Sequence, residues 1–349
     1  MSKVVVISRR ENQLVGWVCI DEFEDLFAET CGATIVAPHR RPQLPRALSQ
    51  MRDRVWSDVS IRAADKLEGD LLLIVARSPS ELQSLRAVKE WHKRFRHVAG
   101  YVIDSYFFAG FSSVARQFDH IFTTTREGAD FVRKTYGVPT SVLRQGFDCL
   151  RWHSVSAERS IDLIGFGRQP PSYHQQFQLE FHRADSPLLY LHSPIGVVHG
   201  PQVHVERPMM LKLIQRSKLA LAFHLLVEPH GSRPKAMFLT NRWLESLAMG
   251  CIVVGKRPIG DMADEMLNWP DATVELPDDA SAAAGLVKEL AADASYLQTI
   301  RRRNVMQMCS QHDWRHRIRD VLQHFSLVTP PRLQAELDAL EVKRSELLA

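Results

Sequence analysis

Short apolar runs alternate with segments of helical period along the first part of the chain. The runs are rich in valine, isoleucine and leucine, and turn-forming or polar residues bound each of them. Continuous apolar runs of this kind predict strands buried on both faces, as in a parallel sheet covered by helices. The predicted strands are KVVVIS, GATIVAP, DLLLIVAR, VAGYVID, HIFTTT and TSVLRQGFD. The pattern therefore predicts βαβ units and a complete doubly wound domain over residues 1–150.

The same pattern restarts after a polar stretch at residues 151–160, which we interpret as a linker. A second domain is predicted over residues 161–330, and the leucine spacing beyond it predicts a C-terminal helix at 331–349. The runs of the second domain are IDLIGFG, PLLYLHS, QVHVE, KLALAFH, CIVVGK and ATVELP. The predicted fold class is α/β, with two Rossmann-like doubly wound domains facing across a cleft. Such domains bind ligands at the carboxyl ends of their strands.

Composition and charge argue against several classes of protein. The net charge is only +4 over 349 residues, which does not favour a nucleic-acid partner. Five scattered cysteines form no C-x-x-C pair, so neither a disulfide framework nor a structural zinc site is expected. The N-terminus lacks a signal-peptide pattern, and no apolar run approaches the roughly 20 residues of a membrane span. We therefore expect a cytoplasmic protein.

The common catalytic motifs are missing from the sequence. No G-x-G-x-x-G follows the first strand, and the chain contains no P-loop, H-E-x-x-H or G-x-S-x-G. No Asp-x-Asp ends a strand, so we predict no metal site. A phosphorylated ligand would then be held by protein groups alone.

One segment combines a basic, glycine-containing loop with a predicted helix start, EPHGSRPKAMFLTNRWLE. Thr240 is placed to cap this helix, and the free N–H groups and dipole of a helix start favour a phosphate. A second interpretation is also open, because Arg242 and Glu245 are three residues apart and could form a simple surface pair. From these residues alone, the surface pair is the simpler interpretation.

The same region resembles the C-terminal domain of group 1 glycosyltransferases, within them the subfamily related to the spore-maturation glycosyltransferase-like proteins. Two elements carry the resemblance, R-x-x-E-x-x-A-x-G and H-x-x-x-H-R. YGVPTSVLRQGFD is also similar to the end of the N-terminal domain of these enzymes, so the resemblance covers roughly residues 131–325. The residues that match are Arg242, Glu245, Ala248 and Gly250 in the first element and His312, His316 and Arg317 in the second.

The resemblance implies a GT-B fold, a nucleotide-sugar donor bound mainly by the second domain, and no required metal or other cofactor. It implies contact of Glu245 with the donor ribose, and it places Gly167 and Arg168 beside the diphosphate. The family's first glutamate would fall at Met237, and this departure leaves retaining and inverting chemistry both open. Together with the basic loop, the candidate donor-binding residues are Gly167, Arg168, Arg233, Lys235, Asn241, Arg242 and Glu245.

Two candidate catalytic residues lie at the ends of predicted strands. Asp104 ends the fourth strand, where it would serve as a general base or cap the next helix. His224 ends the KLALAFH strand, where a functional and a structural role are both open. The aromatic run at Tyr106–Phe108 predicts either a sugar-stacking wall or core packing.

A basic run carries five arginines between Arg40 and Arg54 against one acidic residue, Asp53. It is typical of a solvated helical face, and the other interpretations are an anionic acceptor or peripheral contact with a membrane surface. The expected partners are a nucleotide-sugar donor and an acceptor that is a glycan, a lipid-linked molecule, a protein or a small molecule. The sequence leaves the oligomeric state open.

The sequence thus predicts a metal-independent glycosyltransferase that moves a sugar from a nucleotide-sugar donor to an unidentified acceptor. One alternative is a nucleotide-sugar epimerase, which shares the two-domain fold but needs paired acids or histidines. Another is a non-catalytic GT-B module that binds a nucleotide, an alternative that Met237 keeps open.

Overall fold

The computed structural model describes residues 2–10, 15–40, 59–61, 66–195, 198, 200, 202–224, 226–227 and 238–348. The chain divides into two compact units, Met1–Gln145 with Arg315–Glu336 and Gly146–Trp314 with Leu337–Ala349. These bounds differ from the predicted domains, because a late segment of the chain returns to the first unit. Hydrophobic periodicity marks where a helix lies in the sequence but not which core its apolar face joins.

The first unit is built on six parallel strands. They are β1 (Val4–Ser8), β2 (Thr34–Val36), β5 (Gly69–Ala76), β6 (Phe95–Val102), β7 (His120–Thr123) and β8 (Thr140–Val142), and a separate antiparallel pair is β3 (His39–Arg40) with β4 (Val59–Ser60). The order in the sheet is β2-β1-β5-β6-β7-β8. All of β1 and most of β5 are buried, as expected for strands covered on both faces. The six runs predicted in this half are the six strands of the sheet.

Helices of the first unit connect successive strands. They are α1 (Val18–Cys31), α2 (Trp91–Arg94) and α3 (Arg126–Tyr136), with 3-10 helices at Val15–Trp17, Pro79–Ala87, Phe108–Gly110 and Ser113–Gln117. The hydrophobic period of residues 79–95 predicts one long helix, and this prediction is wrong, since the stretch is a 3-10 helix followed by the short α2. Leu82, Leu85 and Val88 are all buried, and their spacing of three is the period of a 3-10 helix.

In the described part of the second unit, five parallel strands form a sheet in the order β10-β9-β11-β12-β13. The strands are β9 (Ile161–Gly165), β10 (Tyr190–His192), β11 (Ser217–Phe223), β12 (Ile252–Lys256) and β13 (Val274–Glu275). The helices from here to the end of the chain are α4 (Cys149–Trp152), α5 (Pro171–Phe181), α6 (Gln202–Gln215), α7 (Asn241–Ala248), α8 (Asp261–Met266), α9 (Ala280–Ala292), α10 (Ala294–Gln311), α11 (Trp314–His324) and α12 (Pro331–Leu348). Most of α11 and the start of α12 belong to the first unit.

The strand predicted at QVHVE is wrong, because these residues form the first turns of α6. The buried residues of α6 are Val203, Met210, Leu211 and Ile214, which share one helical face, whereas Val205 is 67% exposed. The helix continues through Pro208. Alternating valines over a few residues match the period of a strand, whereas the longer apolar stripe of Val203, Met210, Leu211 and Ile214 follows the period of a helix and decides the structure.

The two parallel sheets and their helices agree with the predicted α/β fold class. Among the described residues, every helix falls short of the length or the hydropathy needed to cross a bilayer.

Candidate active site

The strand order of the second sheet identifies one place for a ligand. The chain passes from β9 to β10 on one side and then to β11 on the other side of β9. Open α/β sheets bind ligands at the carboxyl ends of the strands at such a switch point. Here β9 is followed by Phe166, Gly167 and Arg168, and β11 by His224.

The turn after β9 is joined to the first turn of α7 by the side chain of Arg242. Its Nη1 donates a hydrogen bond to the carbonyl oxygen of Arg168 at 3.0 Å, and its guanidinium carbon lies 5.8 Å from the centroid of the Phe166 ring. Gly167 has a φ of 68°, and a Cβ there would lie 2.5 Å from Nη2 of Arg242. The turn therefore requires glycine both for its backbone conformation and for the guanidinium that fills the adjacent space.

Positive charge converges at this turn. Burial, and then the nearby charge of Arg168, lower the pKa of Arg242 to about 10. Burial also lowers the pKa of His224, and Lys256 and Arg168 add to this effect while Glu275 opposes it. Nδ1 of His224 accepts the backbone N–H of Leu226 at 3.1 Å, so neutral His224 carries its proton on Nε2. The guanidinium groups of Arg168 and Arg242 are close enough for one charge to affect the other, and such a pair favours a neighbouring anion.

The start of α7 differs from the prediction in one respect. Thr240 occupies the N-cap position with extended backbone, but its side chain makes no capping hydrogen bond. Oγ1 of Thr240 and both amide atoms of Asn241 are buried and have no partner among the described residues. Buried polar atoms are nearly always hydrogen-bonded in folded proteins, so these three atoms mark the helix start as a candidate binding position.

Glu245 is buried rather than open to solvent, with 6% of its surface exposed. Its Oε1 lies 2.9 Å from Nη2 of Arg207, a residue of α6. Arg242 and Glu245 therefore do not form the simple surface pair. Arg242 instead contacts the turn after β9, and Glu245 contacts α6. Sequence reasoning missed Arg207, since no local pattern connects α6 with α7.

Several residues singled out in the sequence lie outside the described residues. Among the donor-binding candidates these are Arg233 and Lys235, and Met237 is in the same stretch. The basic run also falls outside after Arg40.

Two residues of the second matched element, His312 and Arg317, each take part in a hydrogen bond within their own unit. The carbonyl oxygen of His312 accepts the backbone N–H of Phe147 at 2.9 Å, and both belong to the second unit. Nε of Arg317 donates to the carbonyl oxygen of Arg144 at 3.1 Å in the first unit. His316 is buried.

In the first unit, Asp104 follows β6 at the carboxyl edge of the sheet. Its Oδ2 accepts the indole N–H of Trp17 at 3.3 Å, and Tyr106 also hydrogen-bonds to this carboxylate. Burial raises the pKa of Asp104 to about 6, against the effect of these two hydrogen bonds, and the charge of Glu81 raises it further. The next helix, Phe108–Gly110, has Phe107 at its N-cap and no side-chain cap, so the helix-capping interpretation of Asp104 does not hold.

Aromatic side chains next to Asp104 reach the surface. Phe107 is 44% exposed and Phe108 is 37% exposed. The rings of Tyr106 and Phe107 lie 4.5 Å apart, and Phe108 stacks on Phe131 at 4.8 Å. Phe107 and Phe108 therefore lie at the surface, so the aromatic run is not part of the core.

A buried polar network lies at the same edge of the first sheet, and sequence reasoning missed it. Arg77, after β5, forms an ion pair with Asp21 of α1. Glu24 of α1 accepts from Ser8 Oγ and from Nη2 of Arg10 at 2.9 Å, and burial raises the pKa of Glu24 to about 7. The only signal in the sequence is the run of polar residues directly after β1. The network packs α1 against the sheet edge next to Asp104.

Within the described residues, no cluster of three or more histidine, cysteine, aspartate or glutamate side chains is arranged to hold a metal ion.

Comparison with known proteins finds a family whose members are similar to part of this chain. Residues 189–323 match a family model described as glycosyl transferase-like. No curated protein matches the chain in sequence.

Solved structures match over most of the chain at low identity. An α-glucosyltransferase in complex with UDP and a 13-mer DNA is 13% identical with a TM-score of 0.56, over 93% of this chain and 98% of that one. An α,α-trehalose-phosphate synthase (UDP-forming) from Burkholderia vietnamiensis is 11% identical with a TM-score of 0.54, over 93% and 100%. An α,α-trehalose 6-phosphate synthase from Burkholderia multivorans is 12% identical with a TM-score of 0.50, over 99% and 98%. The chain therefore shares the overall fold of these structures, and residues 189–323 are similar to the glycosyl transferase-like family.

Proposed function

We propose that the protein transfers a sugar from a nucleotide-sugar donor bound by the second unit to an acceptor hydroxyl activated by Asp104 of the first unit. The observation that carries this proposal is the meeting of the β9 turn, Arg242 and the start of α7. Backbone N–H groups at a helix start and guanidinium groups are the partners that phosphate oxygens favour. A diphosphate at this position would also provide acceptors for the hydroxyl of Thr240 and the NH₂ group of Asn241, and a hydroxyl of the donor sugar would donate to Oδ1 of Asn241.

We propose that Glu245 binds the ribose of the donor. Arg207 holds one carboxylate oxygen at 2.9 Å, which fixes the orientation of the group. A carboxylate held in this way accepts hydrogen bonds from hydroxyl groups at a defined place. We propose this role for Glu245 on the resemblance of its helix to the donor-binding helix of the family.

We propose that cationic side chains of the protein neutralise the charge of the leaving group. Breaking the bond between the anomeric carbon and the diphosphate oxygen leaves negative charge on the nucleoside diphosphate. Arg168, Arg242 and Lys235 would neutralise this charge without a metal, by hydrogen bonds that strengthen as the charge develops.

We propose that Asp104 is the general base that activates the acceptor hydroxyl. A carboxyl group with a pKa of about 6 is largely ionised at neutral pH and can accept a proton from an attacking hydroxyl. The exposed rings of Phe107 and Phe108 would contact an acceptor with apolar faces, such as the rings of a glycan. We therefore favour a glycan acceptor and an inverting reaction.

We further propose membership of the subfamily related to the spore-maturation glycosyltransferase-like proteins, on the residues that match its two elements. A cytoplasmic location is supported by the five cysteines, all of which are buried and none of which is in a disulfide.

The donor proposal is tested by titrating the protein with nucleoside diphosphates and nucleotide sugars. One similar structure holds UDP and another is described as UDP-forming, so UDP and UDP-sugars are the first ligands to try. Binding should raise the melting temperature, and Asn241→Ala should weaken it. Asn268→Ala is the matched control, because this exposed asparagine pairs with Gln311 instead. If no nucleoside diphosphate binds, or Asn241→Ala binds as tightly as the wild type, the donor site is wrong.

The transfer proposal is tested by product analysis. Transfer should appear as release of UDP with a glycosylated acceptor, and Asp104→Asn should abolish it while donor binding persists. Asp130→Asn is the control, since Asp130 forms only an exposed pair with Arg133. An epimerised donor would instead identify an epimerase, and donor binding without turnover would identify a binding module.

A further inference from the structure

Trp17 connects the start of the chain to the acceptor side of the first unit. It ends the 3-10 helix Val15–Trp17 directly before α1 and is partly buried. Its indole Nε1 lies 3.3 Å from Oδ2 of Asp104, across 87 positions of sequence. An indole N–H only donates, so this contact favours the ionised, acceptor-only form of the carboxylate.

The contact leaves Asp104 able to accept a further proton. An ionised carboxylate has two oxygens and about four lone-pair sites, and Trp17 and Tyr106 donate to two of them. Asp104 as a residue is only partly buried, so a ligand at the sheet edge can approach it. Asp104 is also fixed from its backbone, since its N–H donates to the carbonyl oxygen of Arg77 at 2.9 Å.

We infer that Trp17 is a positioning residue, whose indole N–H orients the Asp104 carboxylate toward the acceptor hydroxyl and holds it in the ionised form. The inference rests on the proposed function, because it concerns catalysis only if Asp104 accepts the proton. Trp17 itself touches no reacting atom in this scheme.

The sign of the expected effect follows from the hydrogen bond. Burial raises the pKa of Asp104 and the bond from Trp17 lowers it. Removing the donor therefore raises the pKa, and the fraction of ionised base at a given acidic pH falls. A hydrogen bond to a charged group corresponds to about one pKa unit. Without the donor, the acid limb of the kcat/KM profile should shift to a pH about one unit higher, and kcat/KM at pH 6 should fall about fivefold.

The test is the pH profile of kcat/KM for Trp17→Phe, which keeps an aromatic ring and removes the donor. Trp91→Phe is the matched control, because this partly buried tryptophan of the same unit packs against His92 at 5.6 Å. If Trp17→Phe does not fold, Trp17 is replaced by 3-benzothienylalanine, in which sulfur takes the place of the N–H in nearly the same shape. If Trp17 had a purely structural role, Trp17→Phe would lower kcat/KM by the same factor at every pH, and the acid limb of the profile would stay at the same pH.

Asp104→Asn separates failure of this inference from failure of the proposed function. Loss of transfer in Asp104→Asn together with a raised acid limb in Trp17→Phe supports the inference. Loss of transfer in Asp104→Asn with an unmoved limb in Trp17→Phe overturns the role of Trp17 alone. Wild-type transfer in Asp104→Asn overturns the proposed role of Asp104 and the inference with it.

Discussion

Nη2 of Arg207 lies 2.9 Å from Oε1 of Glu245, and the two side chains are only 11% and 8% exposed. The pair joins α6 to α7, so it contributes to the packing of the second unit as well as to the candidate donor site. Removing one member of a buried ion pair leaves the other charge without compensation.

Glu245→Ala should therefore lower the free energy of unfolding by about 3 kcal/mol as well as weaken donor binding. Urea unfolding of the second unit measures the first effect. Arg207→Ala should cost a similar amount, and the double variant should cost clearly less than the sum, since it leaves no unpaired charge. The exposed pair of Lys288 with Glu180 is the control and should contribute less than about 1 kcal/mol. Fully additive losses at Arg207 and Glu245 would show that the pair does not couple.

Gly167→Ala should weaken UDP binding about tenfold, because the added Cβ would lie 2.5 Å from Nη2 of Arg242 and displace the guanidinium. A lost hydrogen bond from a charged group accounts for a change of this size. Gly137→Ala is the control, since its φ of 70° is similar and nothing lies within 4 Å of its added Cβ. Both variants should lose about 1 kcal/mol of stability from the left-handed backbone. Titration calorimetry with UDP compares them, and equal affinities would contradict the role of Arg242.

The rate of transfer should fall as the pH drops below about 6. A general base acts in its ionised form, and burial raises the pKa of Asp104 to about 6. The value of kcat/KM should thus be constant near neutral pH and decrease tenfold per unit well below the pKa. A profile that stays flat from about pH 8 down to pH 5 would exclude Asp104 as the base, since a carboxylate with this pKa would be mostly protonated there.

Arg168→Ala and Lys235→Ala should lower kcat strongly with little change in melting temperature. Removing one group that stabilises developing charge typically costs on the order of a hundredfold in rate. Lys288→Ala is the control, because Lys288 lies on the exposed side of α9 with Glu180 as its partner. Steady-state kinetics at saturating donor measure the effect. Wild-type kcat in both variants would place the leaving-group site elsewhere.

Chelators should leave transfer intact, because the proposed site neutralises the leaving group with arginine and lysine side chains. The measurement is turnover in excess EDTA against turnover with added magnesium or manganese. Complete loss in EDTA that either ion restores would show that a metal takes part.

The sequence by itself determined most of the strands of this protein, with the helical QVHVE as the exception. A strand of a covered parallel sheet must be apolar on both faces, so runs such as KVVVIS and DLLLIVAR identify β1 and β5 without further information. It also indicated the ligand edge, because Gly167, Arg168 and Asp104 come within three residues of the carboxyl ends of strands.

Only the tertiary structure decided which side chains meet. Arg242 and Glu245 share a helix and satisfy the local spacing rule, yet Arg242 bonds to the turn after β9 and Glu245 to Arg207 of α6. One partner of Asp104, Trp17, likewise comes from 87 positions away. Helix and strand periods repeat over a few residues and are legible in any short window, whereas these contacts depend on how distant elements pack, which no short window of sequence records.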